Sequence, residues 1–303
     1  MFSSRSPNEP ETKGPQSLDR SKTMWLDDGN IVLIAQNTQF RVHRSHPTTS
    51  GRGHGWVPNR ARLDSPRDIE HFLNALYNRS YHTKPLVLDV FEAFLRLGHK
   101  YQVAHLRDDA LACLAAEFPR TLKEWDDGPN TYTVLDISGE NLPTLRLLRL
   151  VQELRLFKYT PIIYLTIAIT TTLESLYKHV PHAISSDDFL RIALAAEKFR
   201  EARRRVTFAW LNLLPCGSCS TTKACAVARK CTGSSYFFEY GGGPSGGLLN
   251  SPFVVLGQCG GKWFCKHCYA VARASHEAAR ALTWENLPVY CGLPKWDDLT
   301  NFE

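Results

Sequence analysis

Hydrophobic positions change their period as the chain is followed from its N-terminus. "IVLIAQ" (31–36) is a short β-branched run, "NTQ" is turn chemistry, and "FRVHR" (40–44) alternates apolar and polar residues with period two. Together they predict a β-hairpin. From 45 to 62 the pattern gives way to Pro, Thr, Ser and Gly, which reads as a loop. The period then becomes helical. Ser65 can cap a helix, Pro66 suits its first position, and Asp68 can reach back as in a capping box. Ile69, Phe72, Leu73 and Leu76 fall on one face of that helix.

Two further stripes predict a helical hairpin. One holds Val87, Val90, Phe91, Phe94 and Tyr101; the other holds Val103, Leu106, Ala110, Cys113 and Leu114. "GHKYQV" joins them as a tight corner, and His99 and His105 flanking it read as surface or capping residues. Pro119 closes the block. Beyond "DDGPNTY", helices are expected over 142–157 and 161–177, the second containing the apolar "TPIIYLTIAI", which fits a buried helix or strand. A long helix is expected over 186–214, opened by the serines and acids of "SSDDF". Phe189, Ile192, Ala193, Ala196, Phe199, Val206 and Trp210 form its buried stripe, and "REARRR" its solvated side, with a phosphate or acidic-partner patch as the minority reading.

This pattern divides the 303 residues into a disordered tail (1–22), a sheet-and-helix domain (23–118), a helical extension (119–214) and a Cys-rich region (215–303). The tail is rich in Ser, Pro and charge and has no apolar leader segment, and no window approaches the ~20 apolar residues of a membrane span. A reducing compartment, cytoplasm or nucleus, is therefore expected, where thiols stay free or bind metal. A net charge of +6 permits nucleic-acid binding without arguing for it.

Eight of the nine cysteines lie between Cys216 and Cys291. Their spacing is Cys216-x2-Cys219-x5-Cys225-x5-Cys231, then Cys259-x5-Cys265-x2-Cys268. Cys216 and Cys219 with Cys265 and Cys268 would supply a closed structural zinc site, and Cys225 could replace one member. His267, inside "CKHC", is expected to point away from the ion. Free or partly paired buried thiols are the other reading, and both stay open at this point.

Three stretches resemble a family when taken in order: "DDGNIVLIAQNTQFRVHRS", "DSPRDIEHFLNALYNRSYH" and "FEAFLRLGHKYQVAHLRDDALACL". They are similar to the BTB/POZ domain of fungal BTB-containing proteins, over about 25–118. "HEAARALTWENLPVYCGLPKWDDL" resembles, more loosely, the C-terminal region of such chains. The resemblance implies an α+β fold, a BTB/POZ-like small sheet with covering helices. It implies protein binding, with self-association or a cullin-type ligase scaffold as partners. Phe40, His43 and Arg44 match the family's F-x-x-H-R element, while Asn30 stands where the family has an acid, two residues after Asp28. "SHPTTSGRGHGWVPNRA" stands where the family carries an apolar helix and a further strand, so the domain reads as truncated. Each buried Leu, Val or Phe so lost forfeits ~1.5–3 kcal/mol. That helix also forms much of the family's dimer and cullin-facing surface.

Enzyme readings are weaker. "GPSGG" matches the G-x-S-x-G elbow of serine hydrolases at Ser245, but "LLNSPFVVL" makes a poor following helix. "CGGKWF" lacks the spacing and hydroxyl of a phosphate loop. Cys113 lies on an apolar stripe and reads as a core thiol. The expected function is therefore a non-enzymatic interaction module. The alternative is a zinc-dependent nucleic-acid or chromatin regulator using "REARRR", Lys223, Arg229 and Lys230.

Overall fold

The computed structural model describes residues 18–44, 64–78, 81, 85–128, 134–136, 143–178, 184–234, 249 and 264–302. The stretch 45–61, read as standing in place of a missing helix and strand, Ser245, Cys259 and the "CGGKW" run lie outside the described residues. The chain is mixed α+β and mostly helical. It divides into two compact units, 1–113 with 134–136, and 114–133 with 137–303. Apart from 134–136, the stretches 119–214 and 215–303 thus fall in one unit.

The first unit is built on a three-stranded sheet of β1 (Asp19–Trp25), β2 (Ile31–Ala35) and β3 (Thr38–Val42), ordered β1-β3-β2. The hairpin forms as expected, with Leu33 opposite Phe40 and Ala35 opposite Thr38. Gln36 turns it in the left-handed region (φ 48), which tight hairpin turns require. Leu33, Ala35, Phe40 and Val42 point to the buried face, whereas Val32 on the other face is exposed. β1 runs parallel to β3 and starts inside the stretch assigned to the tail. Parallel pairing to a distant strand leaves no local turn signal, and only Ser21 and Met24 of "DRSKTMW" are buried.

Helix α1 (Pro66–Tyr77) follows, its first turn held by Ser65, whose Oγ accepts the Asp68 N–H. The Asp68 carboxylate goes to Arg96 at 2.8 Å, so the capping box is half realised. A two-residue strand β4 (Leu86–Val87) leads into α2 (Leu88–Lys100). Val87, expected in the buried stripe, is exposed because it lies in β4, one residue before the helix. Leu88, Phe91, Phe94, Leu95 and Leu97 are fully buried. The corner into α3 (Ala104–Glu117) closes on Gly98. A Cβ there would lie 2.8 Å from the Arg107 backbone nitrogen, so only glycine lets the two helices approach this closely.

The second unit begins with the end of α3 and with α4 (Leu122–Asp127), which carries a full capping box between Thr121 and Glu124. Strand β5 (Leu135–Asp136), of the first unit, pairs parallel to β4. Helix α5 (Pro143–Glu153) stops short of the expected 157, where Arg155 takes a positive φ of 54. Helix α6 (Thr160–Thr170) is buried nearly all round, which is what a helix apolar on every side must do. The pattern expected to reach 177 breaks at Thr171 and resumes as α7 (Leu173–Lys178).

Helix α8 (Ser186–Ala202) starts as the serines and acids imply, with Ser185 Oγ accepting the Asp188 N–H at 3.0 Å. Its expected continuation to 214 becomes a π-helical turn (Arg203–Thr207) and a 3-10 turn (Ala209–Leu213). His276 Nδ1 lies 2.9 Å from the Thr207 carbonyl, meeting a backbone group that the wider turn leaves outside the regular ladder. Arg203 is buried, its guanidinium 5.7 Å from the Phe208 ring, so "REARRR" is not uniformly solvated. Helices α9 (Thr222–Ser234), α10 (Lys266–Glu285) and α11 (Leu287–Tyr290) complete the unit. Near the C-terminus Asn301 bridges to Leu156, and the Phe302 N–H reaches the Arg155 carbonyl at 2.9 Å.

A four-cysteine candidate metal centre

Four sulfurs converge in the second unit. The Sγ atoms of Cys219, Cys225, Cys265 and Cys268 all lie within 4.8 Å of one another. Cys219 sits on a turn closed by its own N–H on the Cys216 carbonyl at 3.0 Å. Cys225 lies in the first turns of α9, Cys265 is the N-cap of α10, and Cys268 is in the first turn of α10. Two helix N-termini therefore bring their positive ends to the sulfurs, the setting that favours thiolate over thiol.

Backbone donors reinforce this. The Thr221 N–H reaches Cys219, the Cys265 N–H reaches Cys225 at 3.2 Å, the Cys268 N–H reaches Cys265 at 3.5 Å, and the Cys216 N–H reaches Cys268 at 3.4 Å. The N–H groups of Cys268 and Ser220 pull the Cys265 thiol down to about 5. Burial pushes the Cys268 and Cys219 thiols up from their ordinary value. Sulfurs packed this closely cannot all ionise beside one another unless a cation neutralises them.

The geometry suits a four-coordinate ion. Sulfurs at ~2.3 Å from a tetrahedral zinc stand ~3.8 Å apart, and Cys265 Sγ is 3.8 Å from Cys219 Sγ. Of the sequence-predicted set, Cys219, Cys265 and Cys268 are brought together with Cys225, which stands in the place expected for Cys216. Cys216 Sγ touches Cys268 Sγ at 3.6 Å, while its own N–H serves as a donor to that sulfur. Cys225 was expected only as a possible replacement for one member, and its x5 spacing could not say which, because a residue in the first turns of a helix meets a preceding loop across no recognisable motif. His267 is exposed, and Cys113 is a buried core thiol, as expected. Burial likewise raises the Cys291 thiol.

The other predicted element lies in the first unit. Phe40 is buried under the sheet. The Tyr77 hydroxyl accepts the His43 N–H at 2.8 Å, and His43 Nε2 lies 3.2 Å from Asp28. Asn30 Oδ1 accepts the Arg44 N–H at 2.7 Å. Asp28 thus supplies an acid beside the His-Arg pair, and Asn30 fixes its backbone.

No family model, curated protein or solved structure matches the chain. Among the described residues, no helix is long and apolar enough to cross a membrane.

Proposed function

We propose that this chain is a non-enzymatic protein-binding adaptor: a BTB/POZ-like module followed by a helical unit clamped by one structural zinc ion. Cys219, Cys225, Cys265 and Cys268 hold the ion, which supplies a rigid tetrahedral cross-link. The convergence of these four sulfurs, each met by a backbone N–H, carries the metal reading. Four thiolates leave no open coordination position, so the site is structural. The order of hairpin, capped helix and helical corner supports the module reading, as does the position of Phe40 within β3 and of His43 and Arg44 just beyond its end. The partner is another protein, a second copy of this chain included.

Elemental analysis of the purified full chain tests the clamp. One zinc per chain is expected, and cobalt exchange should give the strong visible bands of tetrahedral thiolate ligation. A chain that binds neither ion while keeping its helical signal ends the metal reading. Light scattering after size exclusion tests the module: self-association should appear at micromolar concentration and be lost in a chain lacking 18–113. A strict monomer that retains no protein from a cross-linking capture refutes it.

A further inference from the structure

We infer that the cysteine-rich part of the chain also binds the phosphodiester backbone of nucleic acid, through basic stripes on α9 and α10. Positive charge is concentrated there. From Arg203 to His276 the sequence holds nine Lys and Arg against one acid, Glu239, whereas the rest of the chain holds 27 basic and 29 acidic residues. The whole positive excess of the molecule belongs to this one region.

The charge is presented outward. On α9, Lys223, Val227 and Lys230 recur at helical spacing and are all exposed. Lys266, Ala270 and Arg273 do the same on α10. The other sides of these helices bury Cys225 and Ala228, and Cys268 and Ala272, in one shared core. Among the described residues, none of Lys223, Lys230, Lys266 and Arg273 has a carboxylate within ion-pair distance. On α8, by contrast, Lys198 and Arg200 pair with Glu201 and Glu197. Neither α9 nor α10 carries an acid in its first turn, whereas α8 opens with Asp187 and Asp188.

Phosphate fits this surface better than a protein does. The two stripes contain no aromatic residue, and protein interfaces are anchored by buried aromatics. Lys and Arg alone suffice for sequence-independent phosphate binding. Lys223, Lys230, Lys266 and Arg273 define the contact, and its strength follows from counterion release. This inference goes beyond the protein-binding reading and requires no part of it.

Fluorescence anisotropy of the full chain tests it, with a labelled random duplex DNA of about 20 base pairs, a single-stranded RNA of about 20 nucleotides, and phosphatidylserine vesicles as three arms. Micromolar binding to a nucleic acid is expected at about 50 mM salt, weakening roughly 100-fold by about 200 mM for four phosphate contacts on a duplex. The DNA and RNA arms say which polymer supplies the phosphates. The variant K223Q/K230Q/K266Q/R273Q should lose more than about tenfold in affinity and flatten the salt slope. K198Q/R200Q on α8 should change neither. Circular dichroism accompanies each variant, and K230Q/R273Q replaces the fourfold variant if that one fails to fold. Three results overturn the inference: no nucleic acid bound at low salt, equal loss in the α8 variant, or binding to vesicles alone. Nucleic-acid binding by a chain found to hold no metal would sink the zinc clamp and leave this inference standing.

Discussion

The sheet region and the cysteine region reach order by different routes. In the first, Leu33, Phe40, Ile69, Phe91, Phe94 and Leu97 fill the interior at or near zero exposure. Each contributes ~1.5–3 kcal/mol by leaving water. In the second, Phe208, Trp210 and Phe264 surround small residues, Ala228 and Ala272, and a group of sulfurs. Thiols occupy space that hydrocarbon fills in the first region, and close packing sets their ionisation at odds. Density of cysteine marks where burial alone is thin.

Removing the proposed zinc ion should have the largest effect, because structural zinc contributes ~10–16 kcal/mol in small zinc domains. Chelation, or Cys265→Ser, should abolish hydrogen-exchange protection over α9 and the start of α10 while leaving β2 and β3 protected. Cys216→Ser should retain the ion and Cys225→Ser should lose it; the reverse result would return Cys216 to the ligand set. Next in size, Phe91→Ala should cost ~3–5 kcal/mol in denaturant unfolding of the first unit, with metal content unchanged. Gly98→Val should cost ~1–3 kcal/mol, since its side chain meets the Arg107 backbone.

Smaller effects sharpen the contrast further. Ser65→Ala should cost ~1 kcal/mol through the lost cap. Burial, and then Arg67, hold the His71 imidazole below its ordinary 6.5. Burial and Arg107 lower His99 as well. The unfolded chain therefore takes up these protons first as pH falls. The resulting stability is whole above pH 6.5 and drains away below it. Thermal melts of the first unit across that range should show the loss, and His71→Gln should reduce it.

Local chemistry made much of the fold legible. Ser65, Pro66 and the period of Ile69, Phe72 and Leu73 announced α1, and the alternation of "FRVHR" announced the hairpin, because each signal lies within one turn or one strand. β1 escaped because its partner is distant in sequence and its strand is mostly exposed. The end of α8 escaped because the π turn depends on His276, more than sixty residues away. At the sulfur cluster, the two Cys-x2-Cys pairs pointed to the right neighbourhood. The exchange of Cys225 for Cys216 depends on where two helices start, which spacing does not encode.

The sulfur of Cys225 and the N–H of Cys265 meet across a separation of 40 residues. A zinc ion held as proposed would turn the intervening connection into a ring with the ion as its fastener, and doubling such a ring costs only ~0.6 kcal/mol. A protease site placed between 235 and 263 would then make the chain its own occupancy gauge. Once cut, the two fragments should travel together while the fastener is in place and drift apart when a chelator removes it.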